Sequence, residues 1–320
     1  MKAAVVTAPD ADPEYREFFE PQVDDGYELV ELVAAGLHPI VRSLAAGQHY
    51  GSTHSWPLVP GIDVVARTPG GDFIYTGFVR PPHGTFAERM AVPKTMRVSL
   101  PHGADPVKVA GGMNPAFASW LPLKARVGEI GSLATVLVLG VTGLAGYLAV
   151  QHARLLGANR VVGVGRNPAR LARAAALGAA TVVLSGNREA DAAAIVEAQG
   201  GTTPSIVLDF LWASAAETAF ASLARHGLEE DSADIAYTQI GAAAGPEAAV
   251  PASLLRSRRI RVSGSGAGSA QIADIMAEVP VYMQLIANGS VDIPVKTVPL
   301  SSISEAWKAP ADGARFVVVP

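Results

Sequence analysis

Between Ala134 and Arg170 the chain reads ATVLVLGVTGLAGYLAVQHARLLGANRVVGVGRNPAR. A β-branched apolar run, Thr135–Leu139, leads into glycines at 140, 143 and 146. A helix-spaced apolar segment runs on to Leu156 and Gly157, and a second β run covers Val161–Val164. Strand, glycine turn, helix and strand in one short unit form the setting that a dinucleotide-binding turn requires. Gly143 lets the backbone approach a pyrophosphate, and Gly146 lets the helix sit close on its strand. The helix N-terminus adds free N–H groups and a partial positive charge. Gly140, Thr142, Gly143, Leu144 and Ala145 are therefore candidate cofactor contacts. Val141 stands where the usual first glycine would, so the turn is a variant of the pattern.

An acid that binds the ribose 2′-hydroxyl of NAD is expected about twenty residues beyond the glycines. That place holds Gly165, followed by Arg166, Asn167 and, one turn on, Arg170. No carboxylate there repels a 2′-phosphate, and two guanidiniums are placed to grip one, each charge-assisted hydrogen bond being worth about 1.5–3 kcal/mol. These four residues predict NADPH as the cofactor. Two other readings compete. Residues 134–153 carry no Asp, Glu, Lys or Arg, long enough for a membrane span, although glycines three apart and Thr142 interrupt them. A glycine turn that binds nothing is the second.

The whole chain has 320 residues, 49% of them hydrophobic and 17% charged, as a globular protein of two domains would. A net charge of −4 leaves no basic footprint for nucleic acid or an anionic membrane. The start, MKAAVVTAPDADPEY, reads as a first strand and not as a signal peptide, and cytoplasm is the expected location. No cysteine is present, which removes disulfides, thiolate nucleophiles and thiolate metal sites together.

Short β-type runs separated by Pro- and Gly-rich turns fill roughly the first hundred residues, the pattern of a small barrel or sandwich. From Asp105 the pattern turns helical, with Met113-Asn-Pro115 read as a break. Strand and helix then alternate from Thr135 to Ser263, which specifies a parallel sheet covered on both faces. A helix around Ser269–Asn288 and β runs at Val295–Pro299 and Arg315–Val319 are most simply placed back on the N-terminal part.

This order of parts resembles the medium-chain dehydrogenase/reductase superfamily. Gly36-Leu-His-Pro-Ile-Val-Arg42, Pro60-Gly-Ile-Asp63, Gly84-Thr-Phe-Ala-Glu88 and the LGVTGLAG turn are similar to its zinc-free quinone oxidoreductase branch. The resemblance implies an α/β protein with a GroES-like β-rich catalytic domain (1–114 with 268–320) and a Rossmann domain, a doubly wound parallel sheet, over 115–267. Zinc-dependent members carry a cysteine where this chain has His38 and a histidine where it has Ile62, with Pro115 near the place of a third ligand. One histidine cannot hold a catalytic zinc, which takes about three protein ligands, so no metal is expected.

Without a Lewis acid, the reaction has to rest on placing a nicotinamide hydride against an electrophilic carbon, an orientation effect worth about 7–11 kcal/mol. A quinone or an α,β-unsaturated carbonyl is the natural electrophile, helped by a hydrogen-bond donor at its oxygen and a proton source. Relatives carry a Gly-x-Tyr after the first motif. Here Gly47-Gln-His-Tyr50 shifts the tyrosine by one place and leaves His49 at the matching spacing. Tyr50 and His49 are candidate donors, and Tyr50 reads equally as a loop aromatic. His38 is either a pocket donor or a hydrogen-bonded structural histidine.

Position in the family also makes Asn114 and Ser119 candidate contacts to the nicotinamide side, and Phe210 and Leu211, after Asp209, to the adenine side. Ile240, Gly241 and Ala242 with Ser263, Gly264 and Ser265 would present backbone to the carboxamide. Ligands gather at the carboxyl ends of parallel strands, which gives these placements a topological reason. Asp209 itself reads more readily as a loop hydrogen-bonding group. A small-molecule substrate and a homodimer, pairing near Arg259–Ser265, complete the expectation. A carbonyl reductase and a non-catalytic NADPH-binding sensor or scaffold stay open as alternatives.

Overall fold

The computed structural model describes residues 1–266, 268–310 and 312–320, so position 267, the expected end of the Rossmann domain, lies outside the described residues. The chain divides into two units, Met1–Pro115 with Ile272–Pro320, and Ala116–Gln271.

In the second unit six strands alternate with helices: Thr135–Leu139, Arg160–Gly165, Ala180–Val183, Pro204–Asp209, Ile235–Gln239 and Ile260–Gly264. Counted along the chain they lie side by side as third, second, first, fourth, fifth and sixth, and every pairing is parallel. The strand order therefore reverses between Thr135–Leu139 and Pro204–Asp209, the place where such sheets open a crevice at their carboxyl ends. Those two strands are buried at every residue, which is why both read as unbroken runs dominated by Val, Leu and Ile rather than as alternation. Their side chains still alternate between faces. Val136, Val138, Ile206 and Leu208 pack with Ala149, Val150 and Ala153, and Leu137, Leu139 and Val207 pack with Ala216, Ala219 and Phe220. The charge-free segment from Ala134 is thus a strand, a turn and the helix Leu144–Leu155. Among the described residues no helix is long and apolar enough to cross a membrane.

The first unit is built on the ten-residue strand Tyr27–Gly36, which pairs antiparallel with Asp63–Arg67, Arg89–Pro93 and Arg315–Val319. Val295–Pro299 lies parallel to Arg315–Val319 on the far side. Val30, Leu32, Val64, Ala66, Phe86, Met90 and Val318 form its core.

One expectation fails locally. The helix Pro106–Ile130 continues unbroken through Pro115. A proline inside a helix costs about 3 kcal/mol. Met113, Ala116, Trp120 and Leu123 are all buried, and fully burying even two large apolar side chains returns about 3–6 kcal/mol. Tertiary packing overrides the local breaker.

Candidate functional site

The glycine turn sits at the carboxyl end of Thr135–Leu139, against the strand-order reversal. Gly140 has φ +92°, and the N–H groups of Gly140 and Val141 both donate to the Val164 carbonyl, at 2.9 and 3.2 Å. A side chain at Gly146 would run into the Gly140 carbonyl oxygen, with Val141 Cα 2.6 Å away, so close helix–turn approach demands glycine there. Gly143 differs. It caps the helix Leu144–Leu155 with φ −86°, and a Cβ on it would meet only the Gly140 oxygen, at 3.8 Å. Neither conformation nor internal packing calls for glycine at 143; a cradle open to an anion beside a helix N-terminus does.

Val141, in the place of a fingerprint glycine, is buried. Room for it comes from the neighbouring strand, where a Cβ on Gly163 would lie 3.0 Å from Val141 Cγ2. Gly165 makes the same allowance for Thr142, whose Cγ2 is 2.6 Å from the place a Cβ would take. The exchange of a turn glycine for a strand glycine has no signature in a local motif, so sequence reading passed over Gly163. Arg166 follows, exposed and, among the described residues, without a hydrogen bond or ion pair. Asn167 Oδ1 accepts from the Arg170 N–H at 3.1 Å and caps the helix Pro168–Ala176. That fixes Arg166 and Arg170 at the start of one helix.

The loop after Pro204–Asp209 closes the other side. Asp209 is fully buried; its Oδ1 accepts from the N–H groups of Leu211 (2.8 Å) and Trp212 (2.9 Å), and its Oδ2 accepts from the Tyr237 hydroxyl at 2.6 Å. Burial raises the Asp209 pKa against the pull of these donors, and raises that of Tyr237 as well. Trp212 lies at φ 59°, ψ −157°, and Ala213 at φ 48°. A non-glycine residue in either region costs about 1–3 kcal/mol, and such outliers gather at functional sites. Leu211 Cδ2 and Phe210 Cβ stand 3.1 and 3.3 Å from where a Gly140 side chain would begin. The Asp209 carbonyl accepts from Ile240 (2.7 Å) and Gly241 (3.1 Å), and Ser265 donates its N–H to the Gln239 carbonyl at 2.8 Å. So the strand-end segments 140–145, 210–211, 240–242 and 263–265 adjoin along one edge of the sheet. Tyr237 and Trp212 gave no signal in the sequence: the first lies inside an expected strand, and nothing in the local pattern marks the second.

Ser119 is placed differently from its neighbours in that expectation. It is fully buried, with Oγ 2.8 Å from His152 Nδ1, and Asn114 is half-buried mid-helix. Burial pushes the His152 pKa down to about 3, which keeps the imidazole neutral. Around the outer strand Ile260–Gly264, Arg258 pairs with Asp231 at 3.4 Å and Arg261 with Glu129 at 2.8 Å.

In the first unit His38 is fully buried, its Nε2 3.1 Å from Asp63 Oδ1, while the Tyr75 hydroxyl donates to Asp63 Oδ2 at 2.9 Å. Burial holds the imidazole below its ordinary pKa, opposed by the Asp63 charge. His38 is thus hydrogen-bonded through Nε2, and among the described residues its Nδ1 has no hydrogen-bond partner. Tyr50 is 77% exposed, its ring 4.0 Å from that of His49, whose Nδ1 accepts from the Gly51 N–H at 3.1 Å. Among the described residues the Tyr50 hydroxyl makes no hydrogen bond, and no three His, Cys, Asp or Glu cluster as metal ligands would.

Residues 145–288 match the family described as zinc-binding dehydrogenase. Over 96% of each chain the sequence is 29% identical to a probable NADPH-dependent quinone reductase of Emericella nidulans. The quinone oxidoreductase of Thermus thermophilus, solved also in complex with NADPH, is 26% identical, covers both chains fully and superposes with a TM-score of 0.78. A probable oxidoreductase of Mycobacterium abscessus is 25% identical over 100% of this chain and 99% of its own, with a TM-score of 0.78.

Proposed function

We propose that this chain is a member of the medium-chain dehydrogenase/reductase superfamily and, within it, an NADPH-dependent reductase of quinones or α,β-unsaturated carbonyl compounds that works without zinc. The observation that carries the reading is Gly143, a glycine that packing does not require, at a helix N-terminus one strand away from an uncommitted Arg166. The N–H groups of the first helical turn, Leu144 and Ala145 among them, would hold the pyrophosphate, and Arg166 with Arg170 the 2′-phosphate. Bound NADPH supplies a hydride at its nicotinamide C4. The backbone of Ile240–Ala242 and Ser263–Ser265 would orient that ring, while Tyr50 donates a hydrogen bond to the substrate oxygen and water or Tyr50 delivers the proton. The names of the relatives favour a quinone or an activated double bond over a simple ketone.

Zinc does not fit the residues present. The sequence offers no thiolate, and His38 Nε2 is already held by Asp63. A cytoplasmic homodimer belongs to the same reading, with the exposed outer strand Ile260–Gly264 as the pairing edge.

Calorimetry with NADPH and NADH, followed by product analysis on a cyclic 2-alkenone, tests the proposal. NADPH binding at least tenfold tighter and a saturated ketone as product are expected. An allylic alcohol would mark a carbonyl reductase instead. Tight NADPH binding without turnover on quinones, enones or ketones would mark a sensor, and either result overturns the assignment.

A further inference from the structure

Asp209 is sealed from solvent, so it reaches no ligand directly, yet it anchors the loop on which Phe210 and Leu211 press against Gly140. Its carboxylate uses both oxygens, Oδ1 for the N–H groups of Leu211 and Trp212 and Oδ2 for the Tyr237 hydroxyl. Trp212 and Ala213 are held there at positive φ, a conformation the turn would leave if those bonds were lost. The Trp212 ring is fixed from behind, edge-on to Phe220 (6.1 Å) and to Tyr237 (6.4 Å). From the same loop the Phe210 N–H donates to the Leu139 carbonyl at 3.1 Å, and the Leu211 carbonyl accepts from Ala244 at 2.8 Å. A carbonyl that ends the strand before the phosphate turn, the turn itself and the segment after the fifth strand therefore share one anchor.

The geometry points to Asp209 and Tyr237 as positioning residues for the cofactor: their buried hydrogen bond locks a strained turn whose apolar side chains hold the phosphate-binding glycines at the height a dinucleotide needs. This inference rests on the NADPH reading above and deepens it, since it places affinity in residues that never touch the ligand.

The test is fluorescence titration with NADPH, alongside steady-state kinetics and thermal unfolding, for the wild type and four variants. Asp209→Ala loses every bond to the carboxylate and is expected to raise Kd for NADPH tenfold or more, with kcat at saturating cofactor within twofold. Asp209→Asn keeps an acceptor for both N–H groups, and its amide can donate to a reversed Tyr237 hydroxyl, so Kd within threefold of wild type is expected. Tyr237→Phe, which removes one bond, and Leu211→Ala, which removes the brace on Gly140, should each raise Kd three- to tenfold. A merely structural role would lower the unfolding temperature of Asp209→Ala and leave Kd within twofold, which overturns the inference. Should Asp209→Ala fail to fold, unchanged Kd in both Tyr237→Phe and Leu211→Ala overturns it equally. Wild-type protein that binds no NADPH overturns the functional reading itself, which separates the two failures.

Discussion

Two glycines three residues apart in the same turn should fail in opposite ways when each is given one methyl group. In Gly146→Ala the new Cβ would lie 2.6 Å from Val141 Cα and 2.8 Å from the Gly140 carbonyl carbon. Both neighbours are backbone, so no side chain can swing aside and the helix Leu144–Leu155 has to move off its strand. Forced overpacking of this kind costs about 1–3 kcal/mol or more. In Gly143→Ala the new Cβ meets one atom at 3.8 Å, an ordinary contact. Alanine is a poorer N-cap than glycine, but it also loses less chain entropy on folding, by about 0.4–1 kcal/mol, and the two effects nearly cancel. Its methyl group, however, projects into the place proposed for the pyrophosphate, where a tenfold loss of affinity corresponds to about 1.4 kcal/mol. Urea unfolding of the apo proteins and calorimetric titration with NADPH separate the effects. Gly146→Ala should lose stability by at least about 1 kcal/mol. Gly143→Ala should unfold within about 0.5 kcal/mol of wild type and bind NADPH at least tenfold more weakly. A stable Gly143→Ala variant with unaltered affinity would refute the assignment of this turn to the pyrophosphate.

Arg166→Ala should raise KM for NADPH roughly ten- to hundredfold, the loss of one charge-assisted bond of about 1.5–3 kcal/mol, and leave KM for NADH nearly unchanged; equal effects on the two would remove the 2′-phosphate contact. Tyr50→Phe should lower kcat on an enone about tenfold or more, with little change in KM for NADPH, and unaltered turnover would remove Tyr50 from the reaction. Gly163→Ala should destabilise by about 1–3 kcal/mol through its contact with Val141 Cγ2, and Val141→Ala in the same chain should restore most of the loss. His152 carries a pKa of about 3 in the fold against about 6.5 when unfolded, so the unfolded chain takes up the proton first. Its contribution is intact above pH 6.5 and is lost as the pH falls toward 3, at up to about 1.4 kcal/mol per pH unit. Urea titrations from pH 7 to pH 4.5 should show a shallower decline for His152→Asn than for wild type.

Much of the nucleotide-binding unit was legible because its signals are local. Buried parallel strands need continuous apolar runs, the helices carry their own caps at Asn167 and Asn187, and the turn glycines follow a fixed spacing. What escaped depends on partners far along the chain. Asp63 was legible as part of a motif, but not its grip on His38 and Tyr75, which come from other strands and loops. Pro115 read as a break because its cost is local while the compensating burial is not. The strained Trp212 turn could not be read at all, since a tryptophan carries no preference for positive φ and is held there by a hydrogen bond to the buried Asp209 carboxylate.

The return of the chain to its first unit bears on how that unit is assembled. Leu37 waits for the guanidinium of Arg315, its hydrogen-bonding partner 278 positions later. At a translation rate of roughly 5–20 residues per second, about fifteen seconds to a minute pass before that partner exists. Through this interval the Tyr27–Gly36 strand stays without the neighbour that covers its Ala35–Gly36 end, while the Rossmann strands, each close to its partner in sequence, can already pair. On the ribosome the middle of the polypeptide is therefore the first part able to finish folding, and the β-rich part closes last.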